Sequence, residues 1–599
     1  MSNITTKFFS KKVAQSLISE ISGNVYYFAA SRSIPWSDEN NPDTAIDTTK
    51  AINEFKRNIL FGKRIKPDAI ISLVDRYFWQ SGAIFAQYDD NDSLLYTKPF
   101  YVLNSYNNVY KCLFNNNGGP STTEPTLVQT NSFQTSDGYI WKYMYSVSSA
   151  NNTKFSTSSF MPIEPNTAVT SAASNGAIDV VIVTNPGSGY TGYISGSIKS
   201  VISNTIFQVE SPDILSVDSF YYNTSGFYIT QGTGEGQLTT VSNYIVNSAG
   251  HFVYTTAPLS SPALDVTSEF RIAPQISIYG DGTGAKAFCI VNTASYSIDR
   301  ITVLSNGSGY TYANVSIISN PTYGHGATAR GIIPPFGGHG ADVATELGSK
   351  HIGMSVFFNG GESNTISSEV SFRQAGIITA PKKYTTPAAS LTFNSNTGVS
   401  NTYDTIAIVN ANDTFRGGDL VRYVVSTGNT AVSGLANGQY YYVAASNSTT
   451  VQLSSTLDGS IINITSGLSE TGHTLYSNST FSSNTFNALT VLSITTGAST
   501  FSRNEIIVGS DSGAMAYVAF ANSTVAKVSI INQGTFSTNS TYGETITGSS
   551  SSVAATINPN GINNPDIAPL NFRVMHIDNV QYIQRSNTDS EQGYLIVTL

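Results

Sequence analysis

The residues whose side chains could perform acid–base or metal chemistry are few and scattered along the chain. Six histidines stand at positions 251, 325, 339, 351, 473 and 576, and none belongs to a His-x-x-x-His pair or a comparable ligand spacing. The segment His339-Gly-Ala-Asp342 has the atoms for a metal ligand or a general base. It follows the run Pro334-Pro-Phe-Gly-Gly, whose glycines favour a rigid loop shaped by backbone geometry. We therefore expect no metal site in this loop.

A second group of candidate ligands is the acidic run Asp89-Asp-Asn-Asp92. Such a run can suggest calcium, but this one lacks the glycine at the sixth position and the closing glutamate of an EF-hand loop. A solvated turn is the favoured interpretation. The sequence also contains no Gly-x-Ser-x-Gly elbow, no P-loop and no nucleophilic-cysteine motif. We expect neither catalytic residues nor a cofactor.

Charge argues against two classes of partner. The 599 residues include 30 basic and 39 acidic side chains, which gives a net charge of −9. Binding to a nucleic acid backbone or to an anionic membrane would lack its main electrostatic attraction. A local basic stretch, Lys56-Arg57 and Lys63 to Lys66, is expected to pair with acidic groups of this chain or of a protein partner.

Composition predicts a mainly β protein. Charged residues make up 12% of the chain, while 34 Tyr, 30 Phe and 49 Gly, with abundant Ser, Thr and Asn, supply strand formers and turn formers. The two cysteines, Cys112 and Cys289, lie in apolar runs and are expected to be buried free thiols. The N-terminal segment lacks the apolar core of a signal peptide, and no stretch approaches 18 consecutive apolar residues. We expect synthesis in a cytoplasm and no membrane span.

Helices are expected only near the N-terminus. Apolar spacing predicts a helix over 7–21, followed by a strand over 23–30 and a turn-rich loop over 31–42. A second helix is predicted over 44–58, with Asp47, Lys50, Glu54 and Lys56 facing solvent. From about 68 to 165 the pattern is strand and turn.

The aromatic run Asp137-Gly-Tyr-Ile-Trp-Lys-Tyr-Met-Tyr145 is predicted to be a strand that begins at a turn. Successive side chains of a strand point to opposite faces. Tyr139, Trp141, Tyr143 and Tyr145 are therefore expected on one face, which requires a packed partner.

Two regions differ in composition from the rest, 166–335 and 389–562, both rich in small polar residues and short strand patterns. In the first, Ala177 to Tyr190 resembles Ser297 to Tyr310, with Gly-Ser-Gly-Tyr ending both copies 120 positions apart. We interpret this as a tight strand-to-strand turn in two related β units. The second region is expected to hold one or two small β modules.

Several ordered segments resemble the baseplate wedge subunit encoded by gene eight of T4-like contractile-tailed bacteriophages. The segments that carry the resemblance are Phe28-Ala-Ala-Ser-Arg-Ser-Ile-Pro-Trp-Ser-Asp-Glu-Asn-Asn-Pro42, Val109-Tyr-Lys-Cys-Leu113, Ser136-Asp-Gly-Tyr-Ile-Trp-Lys-Tyr-Met-Tyr145, Phe372-Arg-Gln-Ala-Gly-Ile-Ile-Thr-Ala-Pro381, His576-Ile-Asp-Asn-Val-Gln-Tyr-Ile-Gln-Arg585 and Gly593-Tyr-Leu-Ile-Val-Thr-Leu599. The resemblance covers somewhat under half of the chain. Long forms of this kind look like those of marine T4-like phages, including cyanophages.

This resemblance implies a β-sandwich core with short helices, a homodimer, and contacts with other wedge proteins in the tail baseplate of the virion. The core would comprise 1–165, 336–388 and 563–599, with 166–335 and 389–562 as insertions. The resemblance implies no catalytic residue. Structural or interface candidates are Arg32, Pro35, Trp36, Tyr139, Trp141, Tyr143, Tyr145, Phe372 and Arg373.

Two other functions stay open at this point. A receptor-binding tail protein or adhesin is favoured by the Tyr-rich insertions, and a polysaccharide-degrading tail enzyme would need a cleft with paired carboxylates. For Trp36 and Trp141, packing in the core and a role at an interface are both compatible with the sequence.

Overall fold

The computed structural model describes residues 7–598, except 192, 213–214, 320–323, 361, 363–365, 367, 409–414, 416, 457–458, 498, 532–533, 569, 587 and 589. Strands account for 45% of the chain and helices for 9%, so the predicted mainly β fold is confirmed. Within the described part, no helix is long and apolar enough to cross a membrane.

Five helices occur in the described residues. They are α1 (Lys7–Gly23), α2 (Thr49–Arg57), α3 (Ser149–Phe155), α4 (Thr167–Ala172) and α5 (Val343–Glu346). The first matches its prediction, whereas α2 begins at residue 49 and not at 44 because the Thr48 side chain accepts from the Ala51 amide and caps it there. The last three were not predicted, since each is too short to show helical periodicity.

The strands fall into three stretches of the chain. The first holds β1 (Tyr26–Ser31), β2 (Ile59–Arg64), β3 (Ile70–Asp75), β4 (Tyr101–Leu103), β5 (Asn108–Phe114), β6 (Phe133–Gln134), β7 (Ile140–Ser146) and β8 (Phe160–Pro162). The second holds β9 (Val181–Asn185), β10 (Ser195–Ser203), β11 (Ile206–Glu210), β12 (Gly226–Gln231), β13 (Leu238–Asn247), β14 (Gly250–Thr255), β15 (Glu269–Ala273), β16 (Gln275–Gly280), β17 (Thr283–Asn292), β18 (Ser297–Ser308), β19 (Ala313–Ile318) and β20 (Thr328–Gly331). The third holds β21 (His351–Asn359), β22 (Ser371–Thr379), β23 (Lys382–Phe393), β24 (Val399–Ser400), β25 (Thr405–Ala407), β26 (Leu420–Val425), β27 (Tyr440–Ser446), β28 (Thr450–Ser454), β29 (His473–Thr480), β30 (Thr485–Asn487), β31 (Thr490–Thr496), β32 (Ile506–Gly509), β33 (Met515–Ala521), β34 (Val525–Ile530), β35 (Thr545–Gly548), β36 (Ala554–Asn563), β37 (Arg573–Gln584) and β38 (Ser590–Thr598).

The chain divides into two compact units. The first unit contains residues 7–12 and 72–351 of the described chain, and the second contains 13–71 and 352–598. The first unit has a four-stranded sheet in the order β4-β5-β7-β6 and two closed six-stranded barrels, β10-β11-β14-β13-β12-β15 and β16-β17-β18-β9-β20-β19. Closure leaves these barrels without free edges.

The second unit is built around a five-stranded sheet in the order β30-β2-β1-β22-β37. Residues of β1, β22, β21 and β38 share one core, in which Phe28 and Phe358 lie 5.8 Å apart, so two β layers pack face to face there. The unit also contains a seven-stranded sheet, β23-β29-β26-β27-β28-β25-β24, and a third closed barrel, β31-β34-β33-β32-β35-β36. Strand β30, which lies within the stretch interpreted as an insertion, pairs with β2 of the central sheet.

The aromatic run lies in β7, and its rings do not all share one face as predicted. Tyr139, Trp141 and Tyr143 pack together with Tyr110, whereas Tyr145 belongs to the core on the other side of the sheet. The register between β5 and β7 shifts at this point. Val109 lies opposite Tyr145, whereas the next residue, Tyr110, lies opposite Tyr143. An extra residue at a bulge inverts the alternation beyond it, which moves Tyr145 to the opposite face.

The two copies of the repeat detected in the sequence supply two neighbouring strands of one barrel, β9 and β18. Strands β9 and β18 pair directly, with Ile301 opposite Val181. Tyr190 and Tyr310 are both buried, and their hydroxyls accept from the Ala327 and Ala285 amides at 3.3 and 3.4 Å. The predicted strand-to-strand turn is confirmed in both copies. Its four glycines all have positive φ, which explains why glycine recurs there.

A second duplication in the barrel of the second unit was not detected from the sequence. Residues of the first copy recur 39 positions later as the pairs Glu505 and Glu544, Ile507 and Ile546, Gly509 and Gly548, Ser510 and Ser549, Ser512 and Ser551, and Ala516 and Ala555. The first copy forms β32 and β33, and the second forms β35 and β36. This barrel is therefore assembled from two similar halves.

Several predicted side-chain environments can be compared with the structure. Cys112 and Cys289 are buried free thiols, as expected, and burial raises the pKa of both. Lys63 pairs with Glu362 at 2.7 Å, as expected for the basic stretch. Lys56 is buried, with its Nζ 5.8 Å from the centre of the Phe572 ring, so its predicted exposure is wrong.

The acidic run at 89–92 forms a turn, as predicted, but it is not only solvated. The amides of Asn91 and Leu94 donate to the side chains of Asp89 and Asp92. Arg330 contacts both Asp89 and Asp90 at 2.6 Å. The guanidinium thus takes the place that a cation would need at this turn.

Candidate interaction surface

The loop that follows β1 carries three of the candidate residues and begins with an unusual backbone conformation. Arg32 has a φ of 57°, a left-handed value that side-chain-bearing residues seldom adopt. Its amide donates to the Asn58 carbonyl at 3.0 Å, and the Ser31 hydroxyl donates to the Phe55 carbonyl at 2.9 Å. These bonds to the end of α2 fix the direction in which the loop leaves the sheet.

Trp36 attaches the middle of this loop to strand β37. Its indole Nε1 donates to the Val580 carbonyl at 3.0 Å, and the guanidinium carbon of Arg32 lies 4.0 Å from the centre of its ring. Arg32 also donates to the carbonyl of Pro35, which is exposed. Trp36 and Arg32 are both only partly buried, so the Arg32–Trp36 stack is partly accessible.

Arg373 of β22 attaches the rest of the loop. Its Nε donates to both oxygens of the Glu39 carboxylate at 2.8 and 3.0 Å, and its Nη1 donates to the Ser33 carbonyl. The Arg373 guanidinium carbon also lies 4.6 Å from the centre of the Tyr582 ring. Arg373 is 5% exposed, so this ion pair is shielded from water on the arginine side. Removing the partner of a buried guanidinium that makes several hydrogen bonds destabilises a protein far more than removing the partner of a surface ion pair.

Phe372 precedes Arg373 and points to the other face of the sheet. It packs at right angles to Phe61 with the ring centres 5.8 Å apart, inside the main core of the second unit. The strand alternation therefore gives these adjacent candidates different roles. Phe372 holds the strand in the core, and Arg373 faces the loop.

An open cavity of 580 Å³ lies beside this cluster. Its lining side chains are Glu39, Asn40, Ser371, Arg373, Arg503, Asn504, Gln581 and Tyr582. Arg503 comes from the third barrel, where its guanidinium carbon lies 5.7 Å from the centre of the Phe520 ring. Protein–protein contact sites are typically rich in arginine, tyrosine and tryptophan, and this cluster contains all three next to amide side chains. We call Arg32, Trp36, Glu39, Arg373, Arg503 and Tyr582 the arginine surface.

The charges of this surface are mutually coupled. Burial lowers the pKa of the Arg32 guanidinium, with Arg373 acting in the same direction, while Glu54 and Glu39 oppose the shift. The two arginines therefore repel each other and depend on nearby carboxylates. A partner that offered a further carboxylate would relieve that repulsion.

The remaining candidates lie in the first unit and away from any exposed surface. Tyr139, Trp141, Tyr143 and Tyr145 are at most 3% exposed. Trp141 stacks on Tyr139 with ring centres 5.4 Å apart and meets Phe85 edge-on. For these four side chains the structure shows core packing, in contrast to Trp36.

A buried charged network in the first unit was missed by sequence reasoning. Lys111 Nζ lies 2.9 Å from His339 Nδ1 and 3.1 Å from Glu346 Oε2, and 3.9 Å from the centre of the Tyr88 ring. The other oxygen of Glu346 accepts from the amides of Gly340 and Asp342. Because the partners are more than 200 positions apart, the sequence near Lys111 shows no pattern that predicts the network. The only available signal was a lysine inside a strand that is largely apolar.

The network explains the glycine-rich loop and argues against metal binding there. Burial lowers the pKa of Lys111, although Glu346 opposes this shift, and burial together with Lys111 and Lys142 holds the pKa of His339 well below its usual range. An ammonium group beside the imidazole occupies the position that a metal ion would need. Among the residues that the structure describes, no group of three or more His, Cys, Asp or Glu side chains could hold a metal ion.

Comparison with protein-family models found no match, and comparison with curated proteins found no significant similarity.

Proposed function

We propose that this protein is a structural subunit of a bacteriophage tail baseplate wedge, which joins neighbouring wedge proteins during assembly and during the rearrangement linked to contraction. The observation that supports it best is that two resembling segments, around residues 32–36 and 372–373, meet in the arginine surface. Segments this far apart in the chain meet at one partly exposed surface. The proposed role has no enzymatic step and needs no cofactor.

The physical properties of the chain suit this role. A wedge subunit must keep its shape while its neighbours move, and closed barrels and two-layer β packing resist deformation because their cores are close-packed. The arginine surface is suited to a homodimer contact or a contact with another wedge protein.

Electron cryomicroscopy of the phage particle that carries this chain tests the proposal. We expect density for the closed barrels in the baseplate, in repeated copies around the tail axis, and residues 32–43 at a contact between subunits. Density at the fibre tips, or absence from the particle, would overturn the proposal.

A receptor-binding tail protein or adhesin is the second candidate, and exposed tyrosines favour it. Tyr279, Tyr296, Tyr312, Tyr403 and Tyr440 are all exposed, and all lie within the regions interpreted as insertions. Tyrosine is enriched at recognition surfaces because it gives contact area at low entropic cost. Binding of the purified chain to host cell envelopes, abolished by replacing these tyrosines with serine, would favour this function over the wedge.

A further inference from the structure

A second cavity, with a volume of 430 Å³, lies in the second unit outside the arginine surface. Side chains from α2, from the seven-stranded sheet and from the third barrel line it, together with Pro565, Ile567 and Leu570. Small-molecule sites favour such junctions between modules, and this volume is in the range that they occupy.

The charge of this cavity is opposite to that of the chain. Lys56 and Arg57, in the last turn of α2, both line it, and none of its described lining residues is acidic. Arg57 is exposed and forms no ion pair with any residue in the described part of the chain. The helix end contributes a partial charge of about −0.5, which the full positive charge of Arg57 outweighs. The cavity therefore favours an anion.

The rest of the lining fits a ligand that carries many hydroxyl groups. Five aliphatic hydroxyl side chains and two tyrosines line the cavity. They are Ser455, Thr456, Thr490, Ser529, Thr535, Tyr384 and Tyr442. A hydroxyl side chain can both donate and accept, as a sugar hydroxyl can. The Ser529 hydroxyl donates to the Arg57 carbonyl at 2.8 Å, so its free capacity is for accepting. Burial raises the pKa of Tyr442 despite the opposing effect of Arg57, so its hydroxyl remains a donor at neutral pH.

Two further features point to a sugar-sized molecule. Asn53 lines the cavity, and its Oδ1 is buried without a hydrogen-bond partner in the described structure. Buried acceptors of this kind are rare and need a donor, and a ligand that contacts Asn53 offers hydroxyl donors. Ile59, Ile530 and Ile531 give the cavity an apolar wall, against which the C–H face of a sugar ring can pack.

We propose that this cavity binds an anionic sugar, with Arg57 contacting the acidic group and the hydroxyl side chains contacting the ring. The acidic group is a carboxylate in a hexuronate or a phosphate in a sugar phosphate, and both offer oxygen atoms that a guanidinium recognises. This binding site does not depend on the proposed wedge function.

Isothermal titration of the full-length chain with glucuronate, glucose 6-phosphate, glucose and inorganic phosphate tests this inference. We expect saturable binding of at least one anionic sugar, and at least tenfold weaker binding of both glucose and inorganic phosphate. The preferred anionic sugar identifies the acidic group as carboxylate or phosphate. Absence of saturable binding by either anionic sugar, or equal binding of inorganic phosphate, would overturn the proposal.

Substitutions test which residues are responsible. Arg57→Gln should weaken binding of the anionic sugar about tenfold or more, because a charge-assisted hydrogen bond is lost, and Tyr442→Phe should weaken it severalfold. Arg422→Gln is the matched control, since it removes an exposed arginine of the same unit that lies outside both the cavity and the arginine surface. Equal affinities for Arg57→Gln and Arg422→Gln would contradict the assignment, and thermal unfolding of each variant verifies that it is folded.

Discussion

Glu505 and Glu544 each bind the turn that belongs to the other's half of the third barrel. Glu544 accepts from the Asp511 and Ser512 amides at 3.0 and 2.9 Å and from the Ser512 hydroxyl at 2.7 Å. Glu505 accepts from the corresponding groups of Ser550 and Ser551. The two carboxylates thus tie the duplicated halves together by equivalent bonds in opposite directions.

These carboxylates should stabilise the fold. Replacing Glu544 with Gln removes the charge and places an amide donor against backbone donors, so we expect the free energy of unfolding to fall by about 2–4 kcal/mol. Chemical denaturation measures the change. Glu235→Gln, at an exposed glutamate, is the control and should change stability by less than about 0.5 kcal/mol. Equal values for the two variants would contradict the role assigned to Glu544.

The same pair should make stability depend on acidity. Burial alone would raise the pKa of both glutamates, but the hydrogen bonds from Ser551 and Ser512 outweigh it and hold each pKa below the ordinary value of 4.5. A carboxylate with a lowered folded pKa contributes stability above its unfolded pKa and loses it as pH falls through the folded pKa. Denaturation between pH 6 and 3 should show a decline that begins near pH 4.5. The decline should be smaller in Glu544→Gln, and an unchanged pH profile in that variant would contradict the prediction.

His339 should add a separate decline at higher pH. Its pKa is lowered by burial and by Lys111, so the folded protein resists protonation that the unfolded chain accepts near the ordinary value of 6.5. Stability is therefore complete above pH 6.5 and should fall as pH drops below it. His339→Gln should flatten the profile between pH 7 and 5, as followed by thermal unfolding. The control His325→Gln removes an exposed histidine and should keep the decline.

The pairing of Arg373 with Glu39 can be measured by a double-mutant cycle. Arg373→Ala leaves the loop without its main attachment, and we expect a loss of about 3 kcal/mol or more. Glu39→Gln should cost less because Glu39 is partly exposed. The coupling energy should reach about 1–3 kcal/mol, and a value near zero would mean that the ion pair contributes nothing to the fold.

The two tryptophan candidates should behave differently. Trp141→Ala opens a cavity in a fully buried aromatic cluster, so we expect a loss of about 3–5 kcal/mol. Trp36→Ala removes one hydrogen bond and a partly exposed stack, and a loss of about 1–2 kcal/mol is expected. If the proposed function is right, Trp36→Ala should fold and yet weaken self-association, measured by analytical ultracentrifugation. Unchanged self-association would exclude Trp36 from a homodimer contact.

The sequence predicts what depends on neighbouring residues and fails where distant residues meet. Apolar spacing identifies α1, and adjacent Gly-Ser-Gly-Tyr letters reveal the first duplication. The second duplication is hard to recognise in the sequence because the residues that its two copies share are not adjacent and lie among several serines. Alternation places Trp141 correctly, but no local pattern reveals the bulge that moves Tyr145 to the other face.

The candidate site shows the same division. The sequence motifs identify Arg32, Trp36 and Arg373 as notable residues, but their contacts depend on strand pairing across more than 300 positions. Lys56 shows the opposite failure. Its place on α2 indicates a solvent-facing cation, and only the packing of Phe572 near it explains its burial.

The loop after β1 is held at several points along its length, including Trp36 on Val580, Ser33 on Arg373 and Asn40 on Gln581. Ordering a free loop costs about 1–2 kcal/mol per residue. In this protein that entropy is lost when the chain folds. A partner that binds the loop would meet a surface already in its final conformation, so little of the binding free energy would be spent on ordering it.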